Sequence, residues 1–141
     1  MAEAILKHLV AARQDASEWH IESAGTWANI GSQPAPGSQF VMQTMGIDIS
    51  SHQSKPVTME LLQKFDVILT MESMHKRMLQ ELFKDIASRV HMLSEMVGEL
   101  EDVADPIGGE LTDYQATANQ LARFLSDGLE RINQIALNPL E

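Results

Sequence analysis

The order of elements in this sequence predicts an α/β fold, with a parallel sheet and helices on its faces. Three observations carry that expectation. Strand-like and helix-like patterns alternate along the chain. Residues 66–71, DVILTM, form the continuous apolar run that a parallel strand buried on both faces requires. The C-terminal stretch, 112–136, places Ala118, Leu121, Leu125, Leu129 and Ile132 on one face of a long helix.

The remaining elements follow in order. Residues 2–13 put Ile5, Leu6, Leu9 and Val10 on one helical face, so the chain opens directly on a helix. EWHIES (18–23) is predicted as a short strand ended by Gly25 and Thr26. NIGSQPAPGS (29–38) is loop by its Gly, Pro and Ser content. SQFVMQTMG (38–46) is a short helix stopped by Gly46. TMELLQKF (58–65) is another, with Thr58 as its N-cap. A helix over 73–83 follows the DVILTM strand, and RVHMLSE (89–95) is a third strand. No internal repeat, low-complexity segment or domain boundary interrupts the series, so 1–141 reads as a single domain.

Composition excludes several function classes. A chain of 141 residues buries roughly 70% of its unfolded surface, enough for one core. The formal net charge of -10 opposes a nucleic-acid partner, which needs a basic footprint. No long apolar run or charged leader predicts a membrane span or signal peptide, so the expected compartment is the cytoplasm. There is no cysteine, hence no disulfide scaffold and no thiolate metal site, and the five histidines lack ligand spacing. No cofactor and no metal are expected. The acidic run Glu95, Glu99, Glu101, Asp102 and Asp105 reads as a solvated loop.

In parallel α/β sheets ligands bind beyond the carboxyl ends of the strands. Three polar loops fall there: SAGT (23–26), MES (71–73) and EDVADPIGG (101–109). Together with MAEAIL, GIDISSH, FDVILTME, RVHMLSE and DYQATANQLARFL, in this order and spacing, they resemble the low-molecular-weight protein tyrosine phosphatases over residues 1 to about 132. The resemblance implies a three-layer fold with a central parallel sheet, and hydrolysis of phosphotyrosine or aryl phosphate monoesters through a cysteinyl-phosphate. In the family a buried strand and a Cys-x5-Arg-Ser-Pro phosphate loop precede the position of MAEAIL. The expectation is therefore a family fold whose first strand is missing, with Met1 falling three residues after the family's arginine.

The resemblance assigns Asp105, in its Asp-Pro pair, to the general acid that protonates the leaving oxygen. Spacing alone leaves Asp105 as the start of a turn. Ser23 and His52 match positions that support the catalytic loop from below, and Trp27 lies near the aromatic wall against the substrate ring. DPIGG carries no tyrosine, which suggests a bacterial type with an open wall; Glu72, His75 and Lys55 replace the family's usual Asp, Asn and Arg. Phosphoryl transfer of this kind needs a low-pKa thiolate and a bidentate arginine. Without cysteine the chain is expected to be inactive as given, and cysteine-dependent arsenate reduction on this fold is excluded. Three readings stay open: a piece of a normal phosphatase, a catalytically dead pseudo-phosphatase that binds a protein partner, and a small-molecule binder. Unpaired strand edges on either side of the missing strand predict a homo-oligomer.

Overall fold

The computed structural model describes residues 1–26 and 29–138. Its elements run in the order α1 (Ala2–Val10), α2 (Pro36–Thr44), α3 (Met59–Leu62), β1 (Ile68–Thr70), α4 (Ser73–Leu82), β2 (Val90–Met92) and α5 (Leu111–Leu137). Single 3-10 turns occupy Ala16–Glu18, Lys84–Arg89 and Leu93–Val97. β1 and β2 pair in parallel, in the register Ile68 with Val90, Leu69 with His91 and Thr70 with Met92.

Alternation along β1 builds the layers. Val67, Leu69 and Met71 pack into one apolar cluster with α1, α2 and α5, while Ile68 packs into a second with Leu62, Leu79, Ile86 and Val90. Neighbouring side chains on a strand point to opposite faces, so one short strand serves both helix layers. This is the three-layer arrangement that the resemblance implies. The first cluster is the larger, and α5 is its spine: Ala118 and Phe124 are fully buried, with Leu121 and Leu125 nearly so.

Local chemistry explains where the helices begin and end. α2 starts two residues earlier than its apolar pattern predicts, because Pro36 sits in its first turn, where a missing N–H costs nothing. Gly37 lies against the Tyr114 ring of α5, with room for no side chain: a Cβ there would stand 2.6 Å from the ring. Thr58 caps α3 as expected, its Oγ1 accepting from the Leu61 N–H at 3.1 Å. That helix is shorter than the sequence suggests. Beyond it, Arg89 donates to the carbonyls of Gln63 and Phe65, at 3.3 and 3.1 Å, giving the chain an alternative to another helical turn. α1 likewise ends at Val10 rather than at 13, where Arg13 turns back to pair with Asp15 at 2.7 Å.

One predicted strand is corrected. Of EWHIES, Glu18 closes a 3-10 turn, and residues 19–24 form no ladder. Trp19 is in extended backbone, but residues 20–24 make no backbone–backbone hydrogen bond among the described residues. A single parallel bridge, Gly25 with Pro56, ends the segment. An alternating sequence sets a face, whereas a strand also needs a neighbour to pair with. The third strand is also shorter than expected, since Leu93–Val97 folds into a 3-10 turn closed by Gly98 at φ 77°.

Two outcomes follow from this packing. Gly128 of α5 abuts Met96, where an added Cβ would meet the Met96 Cβ at 2.7 Å and its backbone oxygen at 3.3 Å. Neither atom is the free end of a side chain, so Gly128→Val should cost about 1–3 kcal/mol by urea denaturation, with an unchanged m-value. The open edges should also make the chain self-associate. Light scattering should give a mass that rises with concentration; a monomer melting cooperatively above about 60 °C would contradict this.

Candidate functional site

The loops after the strands are tied together by backbone and carboxylate contacts. The Val103 N–H donates to the Met71 carbonyl at 2.8 Å, so 101–105 runs beside the loop that follows β1. Asp102 accepts from the Ser73 N–H at 2.8 Å, placing its carboxylate at the N-terminus of α4, where a negative charge is favoured. Thr117 of α5 donates to the Ala104 carbonyl at 3.4 Å and pins the residue before Asp105.

Asp105 is exposed and opens a turn: its Oδ1 accepts from the Ile107 N–H at 3.0 Å, and the Pro106 carbonyl accepts from the Gly109 N–H at 2.9 Å. The turn reading from spacing is thus met. The same residue lines a cavity of about 310 Å³ with Pro106, Ile107, Asp113 and Gln120. Asp113 closes the start of α5, its Oδ2 accepting from the Glu110 N–H at 2.8 Å.

Ser23 and His52 lie elsewhere, in a cavity of about 640 Å³ that also takes in Met1, Glu3 and Lys55. The structure brings these two predicted residues together through one carboxylate. Ser23 Oγ donates to Glu3 Oε1 at 3.0 Å, and His52 Nδ1 stands 3.6 Å from Glu3 Oε2, which also receives Lys7 Nζ at 3.1 Å. Asp105 lines neither this cavity nor this cluster. Trp27 lies outside the described residues.

Glu3 is the residue that sequence reasoning missed as a hub. Its only local signal is the Lys one helical turn on, the (i, i+4) pair of an exposed helix. Burial pushes its carboxyl pKa up, but hydrogen bonds from Lys7 and Ser23, with the charges of Lys7 and His52, outweigh this and hold it below 4.5. Burial depresses the Met1 amino group, against the pull of Glu3. Lys55, at a position where the resembled family usually has arginine, is paired with Glu22.

The acidic run is more structured than a solvated loop. Glu95 pairs with Lys76 at 2.8 Å, Glu99 and Glu101 with Arg123 at 3.2 and 3.9 Å, and Asp102 and Asp105 each hold a backbone N–H. Among the described residues no group of His, Asp and Glu is arranged to hold a metal ion. No described helix is long and apolar enough to cross a membrane.

A family model described as low molecular weight phosphotyrosine protein phosphatase matches residues 1–136. Among curated relatives, a protein-arginine-phosphatase of Bacillus subtilis is 31% identical over 126 residues, covering 89% of this chain and 82% of the relative. A probable low molecular weight protein-tyrosine-phosphatase of Ralstonia nicotianae is 31% identical over 135 residues, covering 96% and 88%. The crystal structure of the low molecular weight protein tyrosine phosphatase from T. tengcongensis superposes with a TM-score of 0.85 at 32% identity, over 92% of this chain and 88% of that one.

The Glu3 cluster makes a pH-dependent contribution with a definite sign. A carboxyl whose folded pKa is depressed stabilises above its unfolded pKa, and that stability is lost as pH falls through the folded value. Glu3→Gln should therefore lower stability by about 1 kcal/mol near neutral pH, a typical net worth for such a contact. The difference from the parent should close as pH drops below 4.5, read from chemical denaturation at several pH values.

Proposed function

The chain belongs to the low molecular weight phosphotyrosine protein phosphatase family, and from that premise we propose that its residues serve phosphoric monoester hydrolysis on phosphotyrosine or a small aryl phosphate. In that reaction a cysteine thiolate attacks phosphorus and forms an S–P bond. The bond to the leaving oxygen breaks, and a carboxylic acid hands that oxygen its proton. Water then cleaves the S–P bond. Asp105 is the proposed proton donor. Its place on a turn pinned by Thr117 and closed by the Pro106–Gly109 hydrogen bond suits a group that must be held still. Ser23 and His52, joined through Glu3, are the proposed supports of the phosphate-binding backbone, and Trp27 the proposed substrate contact.

The single observation that carries the further step is the absence of cysteine from all 141 residues. A serine nucleophile needs a base poised to activate it. Ser23 does donate a hydrogen bond to Glu3, but that carboxyl also receives Lys7 and its pKa is held below 4.5, too low for it to act as the base a serine needs. The 141-residue chain by itself therefore forms no phosphoenzyme and is inactive. The second reading is a catalytically dead member of the family that binds a protein partner.

Assays with p-nitrophenyl phosphate and with arginine phosphate, the latter because a relative is named a protein-arginine-phosphatase, should show no rate above blank. A rate that survives stringent purification and disappears in Asp105→Asn would overturn the proposal. Vanadate should bind in the millimolar range or weaker by calorimetry. The N-terminus of α1 favours anions, but Glu3 in its first turn already answers that field. Micromolar affinity would require a cradle that this reading does not contain.

A further inference from the structure

We propose that His91 and Glu95 form an acid-sensitive latch that positions the loop carrying Asp105, closed while the His91 ring is neutral and opened when the ring takes a proton. The starting observation is one atom. His91 Nε2 is buried without a hydrogen-bond partner, the one buried side-chain nitrogen or oxygen among the described residues of which this is true. Buried polar atoms are paired in the great majority of cases, so an unpaired one calls for a reason. His91 is the middle residue of β2, between buried Val90 and Met92, and its backbone is fixed opposite Leu69 by the strand register.

Three charged groups bear on the ring, one from each further element around it: Lys76 of α4, Glu95 of the Leu93–Val97 turn and Arg131 of α5. β1 adds no charge, since its residues are Ile68, Leu69 and Thr70. Burial holds the ring below its ordinary pKa of 6.5; Glu95 pulls it upward, and Lys76 and Arg131 push it further down. Glu95 is the other half of the latch. Its Oε2 accepts from the Met92 N–H at 2.5 Å and from Lys76 Nζ at 2.8 Å, which ties the start of the turn to the end of β2. Its Oε1 accepts no hydrogen bond among the described residues. Burial pushes this carboxyl up, but the bonds from Lys76 and the Met92 N–H outweigh it and hold the group below 4.5.

A proton on His91 upsets this balance. The imidazolium carries two N–H donors, and at the buried nitrogen there is no acceptor to meet one. The anion at hand is Glu95. Turning its carboxylate toward the ring takes it from the Met92 N–H and from Lys76, and the turn loses its cap. That turn anchors the acid loop. Ser94, 1% exposed, accepts from the Glu101 N–H at its Oγ and from the Glu99 N–H at its carbonyl, both at 3.0 Å. Opening the turn therefore frees the near end of the stretch that leads to Asp105. A base whose folded pKa is depressed leaves the unfolded chain binding more protons. The neutral ring's contribution is thus complete above 6.5 and is lost as pH falls through the lower folded value. Glu95 is still ionised there, so the latch opens between 6.5 and 4.5. The latch is a property of the fold; only its consequence for chemistry rests on the reading of Asp105 as proton donor.

The test follows hydrogen exchange by mass spectrometry on the full chain from about pH 7 to about pH 5, with rates corrected for the intrinsic effect of pH. Protection in 92–103 should fall about tenfold over this range, while the buried stripe of α5, 118–132, keeps its protection. His91→Gln is neutral at every pH used and should abolish the fall. Arg131 is exposed and makes no side-chain hydrogen bond among the described residues, so Arg131→Glu should keep the fold. Exchanging that cation for an anion favours the protonated ring and should raise the midpoint of the fall by about half a pH unit. If His91→Gln does not fold, the Arg131→Glu shift decides. Undiminished protection at the lower pH, the same fall in His91→Gln, or a midpoint that Arg131→Glu leaves in place each overturns the latch. An equal fall across α5 also overturns it, because the acid response is then global unfolding. These readouts are the same whether or not Asp105 donates a proton, so the latch and that assignment stand or fall separately.

Discussion

The burial of one face of α5 is the constraint on which the rest of the structure depends. Among the described residues the sheet has three paired positions, too few to organise a chain of this length by backbone pairing alone. Ala118, Leu121, Phe124 and Leu125 form a continuous buried stripe that receives α1, α2 and the Leu93–Val97 turn. Where α5 meets its neighbours most closely, bulk has been removed on one side: Gly37 lets α2 approach Tyr114, and Gly128 lets Met96 approach the helix. Close approach at such points is what dense packing requires, and it leaves little freedom for the layers to shift.

The same helix positions the acid-bearing loop. Thr117 holds the Ala104 carbonyl, Asp113 holds the Glu110 N–H, and the turn between them carries Asp105. The carboxylates around it are committed to structure. Asp102 satisfies an amide at the start of α4, and Glu99 joins the loop back to α5 through Arg123. The loop is acidic because its architecture uses carboxylates as hydrogen-bond acceptors for backbone and arginine. Apart from this loop, Glu3 gathers Ser23, His52 and Lys7 into one cluster. The two polar centres are thus separate, each built on a different helix.

The helices were legible in the sequence because their apolar spacing is a local property that one face of a helix must satisfy wherever it packs. Their ends were less so. Arg89 reaches the carbonyls after α3 from across the chain, and no local pattern announces it. Pro36 did carry a signal, as a residue suited to a first helical turn, that its Gly- and Ser-rich surroundings obscured. The site divides in the same way. Asp105 and its turn are adjacent in sequence, so Asp-Pro predicted the turn directly. The Glu3 cluster joins three separated segments, and only its Lys7 contact lies within one helix.

By itself, the sequence determined the α/β class, the helix faces, the DVILTM strand, the absence of cysteine from these 141 residues and, through its ordered motifs, the family. The family rests on a resemblance of motifs and the rest on local periodicity, turn residues and composition, none of which needs a partner to be read. Only the tertiary structure decided that EWHIES forms no ladder, that the acidic run is spent on caps and ion pairs, and that Ser23 and His52 converge on Glu3. Each of these is a pairing between distant residues. Pairing depends on which groups the packed helices hold within reach, and that distance is not written in either partner's own stretch of chain.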